Sequence, residues 1–257
     1  MQPIRPAACA GSFYPSSRMD LESAVDALFT EDHGNPLAMI VPHAGYIYSG
    51  PVAGAAYSKL KGREFDKVVL LGPAHRLWFR GIALPSATHF ETPLGCVPLD
   101  PVCKELAQRE GFIESTEAHR LEHALEVQLP FLQRILGNFT LIPLLVGDAD
   151  PAAVSDVIDM YLGEPGTLVL VSSDLSHFHD YGEAVRIDRI TADAIMALDP
   201  VIDHEQACGA TPVNGLLISA KRKGLAPHLV DLKNSGDTAG DKRRVVGYAS
   251  FTFGEAS

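Results

Sequence analysis

The feature that most constrains this chain is a set of apolar runs that do not alternate. Stretches 38–42, 67–72, 139–146, 167–172, 227–232 and 244–253 are rich in Val, Ile and Leu, and several are apolar at nearly every position. A strand with one wet face alternates polar and apolar residues. A strand covered on both faces does not, which is the habit of parallel strands sandwiched between helices. Helical patterns fill the intervals, at 20–29, 51–61, 101–110, 122–136, 151–162, 183–198 and 212–223. Asp100-Pro101 and Thr211-Pro212 read as N-caps followed by proline in the first helical position. Pro130 is expected to kink the 122–136 helix. The alternation predicts an α/β layered fold with a mixed, mostly parallel central sheet flanked by helices. The last two runs, joined by the polar loop 234–241, predict an antiparallel hairpin. No low-complexity linker or repeat interrupts the pattern, so residues 1–257 read as a single domain.

Charge excludes some partners. A net charge of −11 over 257 residues argues against a nucleic-acid or anionic-membrane surface. Lys221-Arg222-Lys223 and Lys242-Arg243-Arg244 are too short to offset it. The first residues lack the apolar core of a signal peptide, and no apolar run is long enough to span a bilayer. Cys9, Cys96, Cys103 and Cys208 are scattered without a C-x-x-C pair and are expected to be free thiols. A cytoplasmic protein is expected.

Three of the runs break into loops that carry a histidine: His43 after 38–42, His75 after 67–72, and His177 after 167–172. Open α/β sheets bind ligands beyond the carboxyl ends of their strands, and imidazole is the commonest metal ligand and general base. His43 lies in Pro-His-Ala-Gly-Tyr-Ile-Tyr, where small residues let the backbone turn closely and Tyr46 and Tyr48 can wall a pocket. Taken alone, this segment reads equally well as a plain turn. His75 repeats the pattern one strand–helix unit later, and sequential strands are often neighbours. Asp174 precedes His177 by three residues and can orient its ring, or simply cap a helix. Cys208 precedes the 212–223 helix, where a thiol pKa can fall, although burial as a small hydrophobe is the commoner fate. Glu122 and Glu126 share a face of the expected 122–136 helix, with His123 one residue off that face. H-E-x-x-H, Walker and G-x-G-x-x-G motifs are absent.

In order along the chain stand Ala10-Gly-Ser-Phe-Tyr-Pro15, Pro42-His-Ala-Gly-Tyr46, Gly72-Pro-Ala-His75, Glu91-Thr-Pro-Leu-Gly95, Glu122-His-Ala-Leu-Glu126, Ser172-Ser-Asp-Leu-Ser-His177, Cys208-Gly209 and Asn234-Ser-Gly-Asp237. With these motifs the sequence resembles the MEMO family, also called AmmeMemoRadiSam system protein B, nearly end to end. The resemblance implies a fold related to the class III extradiol dioxygenases. In that wider group two histidines and a glutamate bind non-haem iron, and a further histidine acts as acid/base. His43 and His75 match the two ligands, His177 the acid/base, and Cys208 falls where MEMO proteins place a cysteine in the metal site. A thiolate in place of the carboxylate makes zinc or copper alternatives to iron. Ala210 stands where relatives often carry a basic residue. Family members often occur beside radical-SAM and AMMECR-like proteins, which implies a functional link.

The expected function is a non-haem metal-dependent redox enzyme, a dioxygenase-like oxidoreductase, acting on a small molecule. Its metal, iron before zinc or copper, would sit on His43, His75 and Cys208. His177 and Asp174 would be catalytic, with Tyr46, Tyr48, His123 and Glu126 in the pocket. The alternative is a binding or scaffold protein that engages a peptide and keeps the metal-site geometry without turnover. A hydrolase with Cys208 as nucleophile leaves two strand-end histidines without a role.

Overall fold

A computed structural model of the chain describes residues 3–255. Its main sheet has nine strands, with Ala38–Val41, Thr167–Ser172, Lys67–Pro73 and Thr140–Val146 adjacent and parallel at its centre. Antiparallel pairing takes over on both sides. Val245–Glu255 joins Ala38–Val41 on one flank, and Ile82–Leu84 joins Thr140–Val146 on the other. The mixed sheet expected from sequence is therefore parallel where the apolar runs are continuous.

Successive residues of these central strands feed two different cores. Ala38, Ile40, Val69, Leu71, Ile142, Leu144, Val169 and Val171 face one layer, packed by helices Pro151–Asp159, Tyr181–Met196 and Ala210–Lys223. Met39, Val41, Val68, Leu70, Leu141, Leu145, Leu168 and Leu170 face the other, packed by Arg18–Asp26, Tyr46–Ser58 and Leu129–Leu136. Each such Val, Leu, Ile or Met side chain, fully buried, stabilises the fold by about 1.5–3 kcal/mol. Two covered faces explain why these strands carry no polar alternation.

The expected hairpin is present, with Leu225–Asn234 antiparallel to Val245–Glu255. A second sheet of three short strands, Ile4–Arg5, His89–Thr92 and Gly95–Pro98, was not expected. Nor were Ile82–Leu84 and Phe112–Glu114. The 122–136 helix is a correction. Helix Thr116–Arg120 ends first, and residues 121–125 form a loop. A short 3₁₀ turn, Glu126–Gln128, then leads into Leu129–Leu136. Pro130 sits in the first turn of that last helix, where its missing N–H costs nothing, so it starts a helix rather than kinking one. Thr211 is likewise inside its helix, which begins at Ala210 with Gly209 as the cap. Asp100 does accept from the Val102 amide, at 3.0 Å, but the helix it opens ends at Leu106. Among the described residues no helix is long and apolar enough to cross a membrane.

Candidate metal centre

The carboxyl ends of three adjacent parallel strands converge, and their loops bring His43 and His75 together with ring centroids 5.2 Å apart. The loop 121–125 lays His123 against both, 5.2 Å from His43 and 4.5 Å from His75 between centroids. One ring nitrogen from each of His43, His75 and His123 lies within 4.8 Å of the others, close enough to share one ion. Gly72 permits this approach: a Cβ there would sit 2.8 Å from Leu125.

A buried network fixes the tautomer of His43, which is 1% exposed. The Ser172 hydroxyl donates to the Ala124 carbonyl at 2.6 Å. Its oxygen therefore accepts from Gln128 Nε2 at 2.8 Å and from His43 Nδ1 at 2.9 Å. Gln128 is held in turn by the Tyr57 hydroxyl, at 2.8 Å. With the proton on Nδ1, His43 Nε2 presents a lone pair to the cluster. Burial, then the neighbouring imidazoles of His123 and His75, push the His43 pKa well below its ordinary value, so the ring is neutral, the form that binds metal.

Glu122 does the corresponding work for the ring of His75 and also holds the backbone of His123. It is 2% exposed and accepts from His75 N at 2.7 Å, His75 Nδ1 at 2.9 Å, His123 N at 2.9 Å and Ala124 N at 3.0 Å. Burial would raise its pKa. The His123 and His75 side chains and the Ala124 amide outweigh that and hold the carboxyl well below the usual range. A carboxylate that fixes a ring through Nδ1–H frees Nε2 and makes it more basic, the usual outer support of a metal-binding histidine. His123 Nδ1 lies 3.2 Å from Glu122 Oε1 but outside hydrogen-bonding geometry, and is left buried without a partner. One nitrogen of His123 beside two imidazoles oriented through their Nδ1 atoms is a donor set that fits a metal ion.

Cys208 reaches the cluster from the turn before Ala210–Lys223. Its Sγ lies 3.4 Å from His43 Nε2, 3.6 Å from the Asp174 carbonyl and 3.8 Å from Ser173 Oγ. Gly209 allows this turn to press on the strand end, since a Cβ would meet the Ser173 side chain at 2.7 Å. The third member of the tight nitrogen group is thus His123 rather than Cys208, with the thiol adjoining His43. The thiol follows the commoner fate, burial, and its pKa does not fall. Burial, then Asp174, push it up to about 12, because helix-terminus stabilisation does not offset lost hydration.

The cluster opens into a cleft of about 430 Å³ lined by Phe13, Tyr48, His123, Asp174, His177, Arg244 and Tyr248 among others. Asp174 Oδ1 accepts from the His43 amide at 2.7 Å, so it positions a strand-end histidine rather than capping a helix. Burial pushes its pKa up, against the His43 amide and the nearby His177. Two expected pocket residues face elsewhere. The Tyr46 hydroxyl donates to the Val127 carbonyl at 2.8 Å inside the core. Glu126, 0% exposed, accepts from the Cys9 and Ala8 amides, Tyr14 and Arg5, tying down the N-terminal segment. The sequence reading left Ser172 and Gln128 without a role and gave Glu122 only a helix face. The Glu122-His123 adjacency was the available signal, hidden by the helical reading.

Residues 5–252 match the sequence profile of the family described as Memo-like protein. A MEMO1 family protein of Sulfolobus acidocaldarius is 35% identical, the match covering 98% of this chain and 100% of that one. One of Aquifex aeolicus is 36% identical over 97% and 99%. The fold is similar to the crystal structure of an uncharacterised protein from Escherichia coli K12, with TM-score 0.59 and 14% identity over 84% of this chain and 99% of that chain.

Proposed function

Starting from the fact that this chain belongs to the Memo-like protein family, we propose that it is a metal-dependent redox enzyme acting on a small organic molecule. The observation that carries this reading is the convergence of His43, His75 and His123, with ligand atoms within 4.8 Å. His43 and His75 are each held through Nδ1 by an acceptor behind them. The three imidazoles would hold one divalent ion, iron before zinc or copper, and Cys208 beside His43 would join them as a thiolate once its proton is displaced. When bound, the ion would supply Lewis-acid chemistry, with one-electron redox chemistry added by iron or copper but not by zinc.

The chain supplies the rest. Glu122 and Ser172 keep His75 and His43 oriented, and Gln128 braces Ser172. Phe13, packed on His123 at 4.7 Å between ring centroids, shields one side from water. His177, half-buried in the cleft wall, moves a proton at a ring nitrogen, with Asp174 in the same cleft lining. A cytoplasmic setting suits the four free cysteines.

Elemental analysis of protein purified without a chelating tag tests the reading. We expect roughly one ion per chain, lost in His43→Ala, His75→Ala and His123→Ala. His177→Ala should keep the metal while turnover falls by roughly 10²–10⁴-fold. Metal-free protein that takes up neither Fe(II), Zn(II) nor Cu(II) would overturn the proposal. Loss of metal in His177→Ala would make that residue a ligand. A full site with no oxygen uptake in the presence of reductant would favour a binding protein.

A further inference from the structure

We propose that the cleft takes an anionic substrate and that Arg244, held on the ring of Phe178, binds its oxyanion end. The inference rests on the reading of this cleft as the substrate site and adds the charge of what enters it.

Arg244 lines the same cleft as His123, Asp174 and His177. Its neighbours on the loop are both occupied. Arg243 Nε donates to Asp241 at 2.6 Å, and Lys242 lies over the Tyr181 ring at 4.5 Å. Among the described residues Arg244 has no carboxylate partner, in a chain with 32 acidic residues against 21 basic ones. Its guanidinium instead lies 5.0 Å from the centroid of the Phe178 ring. The acids of the cleft wall are engaged elsewhere: Asp241 with Arg243, and Asp174 with the His43 amide. Asp174 is buried at 4% exposure, so the exposed charge of this cleft without an opposite partner is Arg244, although the chain as a whole is strongly negative.

Phe178 is the second, independent observation. It adopts φ +65°, a left-handed conformation that aromatic residues rarely hold, and its side chain remains 61% exposed. A strained backbone normally persists because packing repays it, yet this ring gains no core. What the conformation does achieve is local. It follows His177 directly, where the pairing to Val245 and Val246 shifts register, and it lays the ring beneath Arg244. One unfavourable residue thus sets both His177 and the cation that shares its cleft. An arginine stacked on an aromatic face keeps its N–H fork free and pre-oriented, which suits the paired oxygens of a carboxylate or phosphate. The cleft, at about 430 Å³, has the size of a small-molecule site.

Calorimetric titration of the purified protein with sodium acetate and with inorganic phosphate, at constant ionic strength set by chloride, tests this. At least one anion should bind saturably in the millimolar range. The tighter of the two tells a carboxylate substrate from a phosphorylated one. Arg244→Ala should weaken that binding about 10-fold or more, as expected for a charge-assisted contact. Phe178→Ala should weaken it several-fold with circular dichroism unchanged. Saturable binding that survives Arg244→Ala undiminished, or no saturable binding of either anion to the parent protein, overturns the proposal. Metal content measured on the same samples keeps the two readings apart. Arg244-dependent binding in protein that cannot hold metal would remove the metal reading and leave this one standing.

Discussion

Glu122 and Glu126 stand four residues apart and organise two buried polar networks of opposite character. Around Glu126 the partners are all supplied by the chain: two backbone amides, the Tyr14 hydroxyl and the Arg5 guanidinium, which also donates to the His119 and Glu122 carbonyls. Around Glu122 the carboxylate is equally well satisfied, but the imidazole cluster beside it is not. His123 Nδ1 has no partner, and His43 Nε2 meets only the Cys208 sulfur. A network closed on itself fixes the fold. One that is satisfied at the back and open at the front keeps its binding capacity for something else.

The closed network is the more costly of the two to disrupt. Arg5 and Glu126 are 5% and 0% exposed, so removing one partner strands a buried charge. Glu126→Ala should lower the unfolding free energy by about 3–5 kcal/mol, measured in denaturant. Metal bound per folded molecule should stay near that of the parent. Loss of metal in step with stability would mean that the two networks are one.

A third buried carboxylate lies between these extremes. Asp188, 2% exposed in helix Tyr181–Met196, accepts from the Ser176 amide at 3.0 Å, while the Ser176 hydroxyl has no partner. Burial pushes its pKa up to about 6, against the Ser176 contact. A folded pKa above the unfolded one means that its contribution is fully present below about pH 4 and is lost as pH rises through 6. Asp188→Asn keeps the acceptor and removes the titration. Its stability should therefore improve relative to the parent between pH 4 and pH 8, by up to roughly 3 kcal/mol. Unfolding curves that move in parallel with pH would show that Asp188 is hydrated rather than desolvated.

The sequence made the central strands legible for the reason the structure shows. Thr167–Ser172 matches the expected bounds, and Lys67–Pro73 and Thr140–Val146 differ by one residue, because both faces demand apolar side chains. Three- and four-residue strands such as Ile82–Leu84 carry no period to detect. The segment after Arg120 was misread because Glu122, Glu126 and the intervening apolar residues mimic a helical face. Its carboxylates turn in different directions instead, one toward His75 and one toward the N-terminal segment. His43, His75, His177 and Cys208 were legible as strand-end and turn residues. The outer supports, Ser172 and Gln128, were not, since their contacts with Ala124, Pro42 and Tyr57 exist only after the layers pack.

The smallest expected effect sharpens the contrast from the open side. Glu122 touches no substrate and would touch no metal. It receives Nδ1–H of His75 and the amides of His75, His123 and Ala124. Glu122→Gln preserves the shape but replaces an ionised acceptor with a neutral one, so His75 loses both orientation and basicity. Metal affinity should fall by about 10–100-fold, the usual effect of altering a support behind a metal-binding histidine. Competition against a chelator of known affinity measures this on folded protein. Glu126→Gln, four residues on, should leave the same affinity within a few-fold, because its partners lie on the N-terminal segment and not on the imidazoles. If the two variants weaken metal binding equally, what matters is the position of the 121–128 segment rather than the charge of Glu122. The division between a closed and an open network would then fail.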